Sequence, residues 1–127
     1  LYIINAGNMQ IGYTETRDPK TLETMINAND YQAMSLLRQF LPGLTKRLSR
    51  TGLIMVVSIA SIAPSPLNVT YHATKAMMYN IAAGVQEELK EKNANVDFMI
   101  VNPGLCETNL NNSLFKRFLI PKYVGFA

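Results

Sequence analysis

A phenol and an ammonium stand four residues apart in the segment Tyr71-His72-Ala73-Thr74-Lys75. In a helix this spacing puts both side chains on one face, a turn apart, so they can act on one substrate atom. A nearby lysine cation favours the phenolate, and we therefore expect the pKa of Tyr71 to fall below its ordinary value of about 10. Tyr71 is thus a candidate general acid/base. The alternative is that Tyr71 only packs on a core and Lys75 is a solvated surface charge.

A serine hydroxyl precedes this pair at the end of an apolar run. Ser58 lies thirteen positions before Tyr71, and its hydroxyl can donate a hydrogen bond to a carbonyl oxygen as negative charge develops there. The three side chains together predict acid/base chemistry at a carbonyl or alcohol oxygen.

Three strands and two helices are predicted to position these groups. Apolar residues at nearly every position predict buried strands at 1–4, 52–58 and 96–101, the first two covered on both faces. The dipeptide Asp18-Pro19 predicts the start of a helix, which Pro42-Gly43 bends or interrupts. A second amphipathic helix is predicted from Tyr71 to about Lys92.

Alternation of strands and helices at this spacing predicts an α/β fold with an open parallel sheet and right-handed crossovers. Ligands bind beyond the carboxyl ends of the strands in such sheets. Asn5-Ala6-Gly7, Ser58 and Asn102-Pro103-Gly104 follow the three predicted strands, so we expect the site at that edge.

The order and spacing of these motifs resemble the short-chain dehydrogenase/reductase family over nearly the whole chain. By that resemblance, Ser58 positions a substrate carbonyl or alcohol, Tyr71 exchanges the proton, and Lys75 holds the nicotinamide ribose while lowering the pKa of the tyrosine. Asn29, thirteen positions before Pro42, completes the catalytic tetrad and holds a water in the proton relay to the lysine. The alternative for Asn29 is an ordinary amide on a helix surface.

The family usually carries a pair of adjacent serines, whereas this sequence has Ser58 and Ser61 three positions apart. If the loop before Tyr71 is shortened by three residues, Ser61 takes the catalytic role. The spacing to Tyr71 favours Ser58.

The resemblance also implies a nicotinamide cofactor, NADP or NAD, with NADPH favoured. The residues expected to contact it are Asn5, Ala6, Gly7, Tyr71, Lys75, Pro103, Gly104 and Thr108, the last near the carboxamide. The family's glycine-rich turn is not in this sequence. We therefore expect residues 1–127 to be the C-terminal, catalytic portion of one Rossmann-like, doubly wound, NAD(P)-binding domain whose first strands precede Leu1.

The implied activity is interconversion of a ketone and a secondary alcohol, with reduction favoured. The run Met25-Ile26-Asn27-Ala28-Asn29, together with Leu41-Pro42-Gly43, resembles the branch that holds 17β-hydroxysteroid dehydrogenases and very-long-chain 3-oxoacyl-CoA reductases. A small lipid-like carbonyl, a steroid or a 3-oxoacyl compound, is the expected substrate. The alternative is a catalytically inactive member of the fold that serves as a binding or scaffolding protein.

Composition limits the other classes of function. The 127 residues are 48% apolar and 17% charged, as in a folded domain, and the net charge of +3 is too scattered for a nucleic-acid surface. Cys106 and His72 lack metal-ligand spacing, so no metal site is predicted. A lone cysteine fits an intracellular protein, either cytoplasmic or associated with the endoplasmic reticulum membrane.

The apolar and basic segment 114–120 has three interpretations: a lid over a lipid-like substrate, contact with a membrane surface, or a helix packed on a neighbouring subunit. The resemblance favours a homo-oligomer, because the helices that contain Asn29 and Ile81 pair between subunits in many relatives.

Overall fold

In the computed structural model of the chain, the structure describes residues 1–104 and residue 106. The predictions for Thr108 and for the segment 114–120 therefore lie outside the described residues. The elements in chain order are β1 (Tyr2–Ile4), α1 (Pro19–Ile26), α2 (Gln32–Leu44), β2 (Thr51–Val56), α3 (Val69–Glu91) and β3 (Val96–Val101). A π-helical turn, Asn27–Tyr31, joins α1 to α2, and short 3₁₀ turns lie at Thr14–Thr16 and Ile59–Ser61.

The three strands form one parallel sheet in the order β1-β2-β3. Each strand is followed by helix before the next strand, as the alternating sequence pattern predicts. The strand register aligns Tyr2, Leu53 and Phe98 in one row across the sheet, and Ile4, Met55 and Ile100 in another. Both rows face the helices, because all six side chains belong to the apolar core or pack against it.

The core lies between this face of the sheet and the helices. Met55 in the central strand and Met78 and Ala82 in α3 are fully buried, and Leu37 in α2 packs with them. Burial of this apolar surface fixes α2 and α3 against the sheet. It thereby positions the first turns of α3, where Tyr71 and Lys75 lie.

Within residues 1–104 the strands are covered on one face, and the second face that the apolar runs predict to be covered is open. Ile3 and Met99 are each 58% exposed, and the register places them in one row with Ile54 on the face away from the helices. An all-apolar strand signals burial on both sides only when both sides have elements to cover them. Here α2 and α3 pack on the same side.

The expectation that Pro42 interrupts the first helix is also wrong. The helix continues through the proline to Leu44, which is buried, whereas Leu48 beyond its end is 96% exposed. A proline costs a helix the hydrogen bond from its own nitrogen, and Pro42 comes only two residues before the end of α2. Burial of Leu44 holds that last turn in place.

The predicted start of the first helix is confirmed. The side chain of Asp18 accepts a hydrogen bond from the Lys20 amide at 3.2 Å, and Pro19 occupies the first helical position. The helix that carries Tyr71 begins two residues earlier than predicted, at Val69. Within residues 1–104, no helix combines the length and the hydropathy needed to cross a membrane.

Candidate active site

The carboxyl ends of the three strands meet at one edge of the sheet, as expected. The Val57 amide donates to the Val101 carbonyl at 2.8 Å, and the Ile59 amide donates to the Pro103 carbonyl at 3.1 Å. These bonds continue the parallel pairing past the end of β2. They hold Ser58, which lies between the two donors, beside the segment that follows β3.

Tyr71 and Ser58 interact at this edge. Burial raises the pKa of the Tyr71 phenol, and a side-chain hydrogen bond with Ser58 acts in the opposite direction and lowers it. The expectation that Lys75 brings this pKa below 10 is wrong for the geometry observed: the Lys75 ammonium lies 5.8 Å from the centre of the tyrosine ring, and burial dominates. Tyr71 is therefore a protonated phenol at neutral pH.

The two candidate serines have different surroundings. The Ser61 hydroxyl donates to the Ser58 carbonyl at 2.8 Å, which closes the short 3₁₀ turn. The Ser58 hydroxyl accepts from the Ala60 amide at 3.1 Å and keeps its own proton to donate. Of the two serines, Ser58 is the one that acts on the pKa of Tyr71, which it lowers.

Lys75 is not a solvated surface charge, because only 4% of it is exposed. Burial lowers the pKa of its ammonium, and the charge of Asp30 raises it. The nitrogen donates to the Met78 sulfur at 3.4 Å, a weak acceptor. An ammonium with such a partner retains donors for stronger acceptors, such as the hydroxyl oxygens of a ligand.

Asn29 is fully buried, so the alternative of a surface amide is wrong. Its Nδ2 donates to the Asn8 carbonyl at 2.9 Å and to the Thr74 hydroxyl at 2.8 Å, and its Oδ1 accepts from the Asn8 amide at 2.6 Å. Thr74 in turn donates to the Tyr71 carbonyl at 2.8 Å. One side chain thus joins the loop after β1, the π-helical turn and the first turns of α3.

The π-helical turn is what presents Asn29 to these partners. Such turns widen a helix locally and often occur at functional sites. The buried residues Met25, Asn29, Ala33 and Leu37 recur every four positions, which exceeds the 3.6 residues of an α-helical turn. In a regular α-helix, residues at this spacing would rotate steadily around the helix axis. The wider π-helical turn offsets part of this rotation, so the buried residues keep facing α3 and the loop after β1.

Sequence reasoning missed His72, the residue after the tyrosine. Because the Ala60 carbonyl can only accept, His72 Nδ1 donates to it at 2.8 Å, and the Ser65 hydroxyl lies 2.8 Å from Nε2. The ring ties the loop between Ser58 and Tyr71 to α3. The sequence feature that could have indicated His72 is its position directly after Tyr71, but by the family resemblance that position is variable.

Sequence reasoning also missed Asn8, Thr74 and Asp30. Asn8 contributes its backbone groups, which residue type does not reveal. Thr74 lies between Tyr71 and Lys75 in the sequence, and the spacing of those two residues assigns it no role. Asp30 carries a charge into the buried part of the helix, and the π-helical turn that buries it has no signature in the sequence.

The residues at the edge fit the cofactor that the resemblance implies. Residues 5–7 are exposed there, and a side chain on Gly7 would meet Asn29 Oδ1 and Lys75 Nζ, each at 3.5 Å. Glycine therefore leaves the space over those two polar groups open. Asn102 Oδ1 is buried without a hydrogen-bond partner among the described residues, beside Pro103 and the exposed Gly104. An unsatisfied acceptor at this edge fits a bound group that carries donors, such as a carboxamide.

Comparison with known proteins identifies the family of this chain. The family pattern of short chain dehydrogenases matches residues 1–118. A very-long-chain 3-oxoacyl-CoA reductase of Mycosarcoma maydis is 27% identical over 115 residues, which cover 90% of this chain and 31% of that protein. Another, from Anas platyrhynchos, is 34% identical over 73 residues, which cover 58% of this chain and 23% of that protein.

Among solved structures, a short chain dehydrogenase from Burkholderia cenocepacia in complex with NADP matches with a TM-score of 0.78 and 25% identity, over 88% of this chain and 46% of that one. The chain thus spans about half of the solved structure and about a third or less of the curated relatives. Its parallel sheet aligns with part of a Rossmann fold, as expected. The chain belongs to the short-chain dehydrogenase/reductase family of oxidoreductases, whose members use NAD or NADP.

Proposed function

We propose that the protein carrying this chain interconverts a ketone and a secondary alcohol with NAD(P)(H), and that Tyr71 is its general acid/base. The observation that carries the proposal is the placement of Ser58 and Tyr71 at the carboxyl edge of a parallel sheet, where Ser58 lowers the pKa of Tyr71, with Lys75 one helical turn away. These are the donor, acid and cation that a carbonyl reduction needs around one oxygen.

Each side chain has a separate task in the reduction. The Ser58 hydroxyl donates to the substrate carbonyl and fixes its oxygen near the Tyr71 phenol. Tyr71 gives its proton to that oxygen as the carbon is reduced by the hydride that a bound nicotinamide would supply. Lys75 would hold the ribose hydroxyls and stabilises the phenolate that Tyr71 leaves behind. Residues 5–7 and Pro103, Gly104 and Thr108 would complete the cofactor contacts.

The electrostatics of Tyr71 favour the reductive direction. Because burial raises its pKa, the phenol keeps its proton at neutral pH and can act as the acid. Alcohol oxidation needs the phenolate instead. We expect the oxidation rate to rise with pH toward the raised pKa of Tyr71, while the reduction rate stays level and falls only at alkaline pH, where Lys75 or the phenol loses its proton. Initial rates in both directions, measured across pH 6–10 as a rough span around the unperturbed value, test this difference.

The proposed substrate is a lipid-like carbonyl, a 3-oxoacyl compound or a steroid, and the proposed cofactor is NADPH. The printed functions of the two similar reductases and the NADP bound to the Burkholderia protein support this choice. We also propose an intracellular homo-oligomer, at a membrane surface or in the cytoplasm, in keeping with a lipid-like substrate.

The test uses the full-length protein and follows oxidation of NADPH or NADH with three substrates: a long-chain 3-oxoacyl-CoA, a steroid ketone and a short aliphatic ketone. We expect turnover with NADPH and the long-chain compound. Cofactor binding without turnover of any ketone would instead support the inactive, binding class of protein.

Replacement of each serine by alanine is expected to separate their roles. Ser58→Ala removes the hydroxyl proposed to donate to the substrate carbonyl, so reductive kcat should fall roughly 100-fold or more. Because the side-chain hydrogen bond with Ser58 lowers the pKa of Tyr71, the alkaline rise of the oxidation rate should also move to higher pH. Ser61→Ala removes only a bond within the 3₁₀ turn, and we expect a change of a few-fold at most. Equal losses, or a larger loss for Ser61→Ala, would reverse the assignment.

A further inference from the structure

A buried carboxyl group lies next to Asn29. Asp30 is 1% exposed, and its Oδ1 has no hydrogen-bond partner among the described residues. Its position is the π-helical turn between α1 and α2. An unpaired buried carboxylate is unfavourable, and a residue of this type is retained at such a place only when something nearby compensates its charge or uses it.

The neighbouring cation is Lys75. A hydrogen bond of 2.8 Å between Asn29 Nδ2 and Thr74 Oγ1 joins the π-helical turn to α3. Asp30 follows Asn29 in the chain and Lys75 follows Thr74, and both of these charged residues are buried. Lys75 is 4% exposed, and its ammonium donates to the Met78 sulfur. Among the described residues, each of the two charged groups therefore lacks a strong partner within hydrogen-bond distance.

We propose that Asp30 is a positioning residue that serves as the internal counter-ion of Lys75 and keeps its ammonium protonated in the buried site. This inference rests on the proposed function, because the charge on Lys75 matters there for binding the ribose and stabilising the Tyr71 phenolate. In this proposal Asp30 acts through Lys75.

The charges around Asp30 support this pairing. Burial raises the pKa of Asp30 from 3.8 to about 6, and the Lys75 charge acts in the opposite direction and lowers it. Burial lowers the pKa of Lys75, and Asp30 raises it. The other ionic side chains on the flanking stretches of the helices around Asp30 are exposed: Lys20 and Glu23 on α1, Arg38 on α2, and Glu87, Glu88, Lys90 and Glu91 on α3. Tyr71 and His72 are the half-buried titratable groups one turn from Lys75.

The stability of the protein should reveal the burial of this carboxyl. A carboxyl whose folded pKa exceeds its unfolded value favours the fold when protonated, so its contribution is complete below about pH 4 and is lost as pH rises through 6. The Asp30→Asn variant cannot ionise. We expect it to melt at a higher temperature than the parent at pH 7, with the difference shrinking toward pH 4.

The activity should respond in the opposite sense. Without the Asp30 charge, Lys75 loses its proton at lower pH, and the alkaline fall of kcat/KM for ketone reduction should move down by about one pH unit. The pH profile is measured in the full-length protein for the parent, Asp30→Asn and Asp30→Leu. Asp97→Asn is the matched control, since it removes a carboxylate from an exposed surface pair with Arg50.

The outcomes separate the two proposals. A parent protein without ketone reduction overturns the proposed function. An active parent whose alkaline limb is unchanged in both Asp30 variants overturns the inference alone, as does an equal shift in Asp97→Asn. If neither Asp30 variant melts cooperatively, Asp30 acts in folding and the inference is also wrong. The inference is supported if the alkaline fall of kcat/KM moves to lower pH only in the Asp30 variants and their melting temperatures at pH 7 are at least as high as the parent's.

Discussion

Replacement of Tyr71 by phenylalanine is expected to remove nearly all ketone reduction in the full-length protein. The change deletes only the phenolic oxygen, which gives up the proton in the proposed reaction. General acid catalysis contributes about 100-fold to 10,000-fold, and kcat should fall by at least that order. The phenylalanine ring still fills the half-buried position near the start of α3, so the free energy of unfolding should change by about 1 kcal/mol or less.

Tyr79→Phe is the matched control for this prediction. Tyr79 lies on the same helix, is 41% exposed and is two turns farther from the sheet edge. Its loss should leave kcat and the melting temperature close to those of the parent. A Tyr71→Phe protein that reduces a confirmed ketone substrate within a few-fold of the parent rate would show that another group donates the proton.

The second large effect is expected on stability. Asn29→Ala removes three hydrogen bonds, two with the Asn8 backbone and one with Thr74. The Asn8 amide and carbonyl lose their partners in a part-buried place, at about 1–3 kcal/mol for each unsatisfied group. We expect the free energy of unfolding to fall by about 3 kcal/mol. Turnover should fall as well, because the same bonds hold the first turns of α3 in place.

Denaturant unfolding of the full-length protein measures this loss, with Asn80→Ala as the control. Asn80 is an exposed asparagine on α3, and its replacement should change stability by about 0.5 kcal/mol or less. A loss below about 1 kcal/mol in Asn29→Ala would mean that water replaces the side chain. The network would then be a minor part of the support for Tyr71 and Lys75.

The stability and activity predictions for Asp30 point in opposite directions. Asp30→Asn should stabilise the protein at neutral pH and narrow the pH range of its activity. Proteins retain unfavourable buried charges where function needs them, and a positioning role explains why this carboxyl lies next to Asn29. A purely structural residue would show a change in melting temperature without a change in the pH profile.

The sequence by itself determined the order of the elements and the sheet edge at which the candidate site lies. Local periodicity was sufficient for this: apolar runs of strand length, the Asp18-Pro19 start signal and the helical spacing of Tyr71 and Lys75 each depend on neighbours in the chain. The rule that ligands bind at the carboxyl ends of parallel strands then located Ser58 beside them. The family resemblance added Asn29 to the same site.

Only the tertiary structure decided which faces are buried and which charges lie together. Apolar content could not show that Ile3 and Met99 lie on the face away from the helices, because coverage depends on where distant helices pack. The burial of Asp30 depends on a π-helical turn, which is stabilised by contacts across the fold. The pKa of Tyr71 was predicted with the wrong sign for the same reason. Spacing along a helix predicts that Lys75 lies near Tyr71 and lowers its pKa. The burial that raises this pKa comes from packing at the sheet edge, which helical spacing does not show.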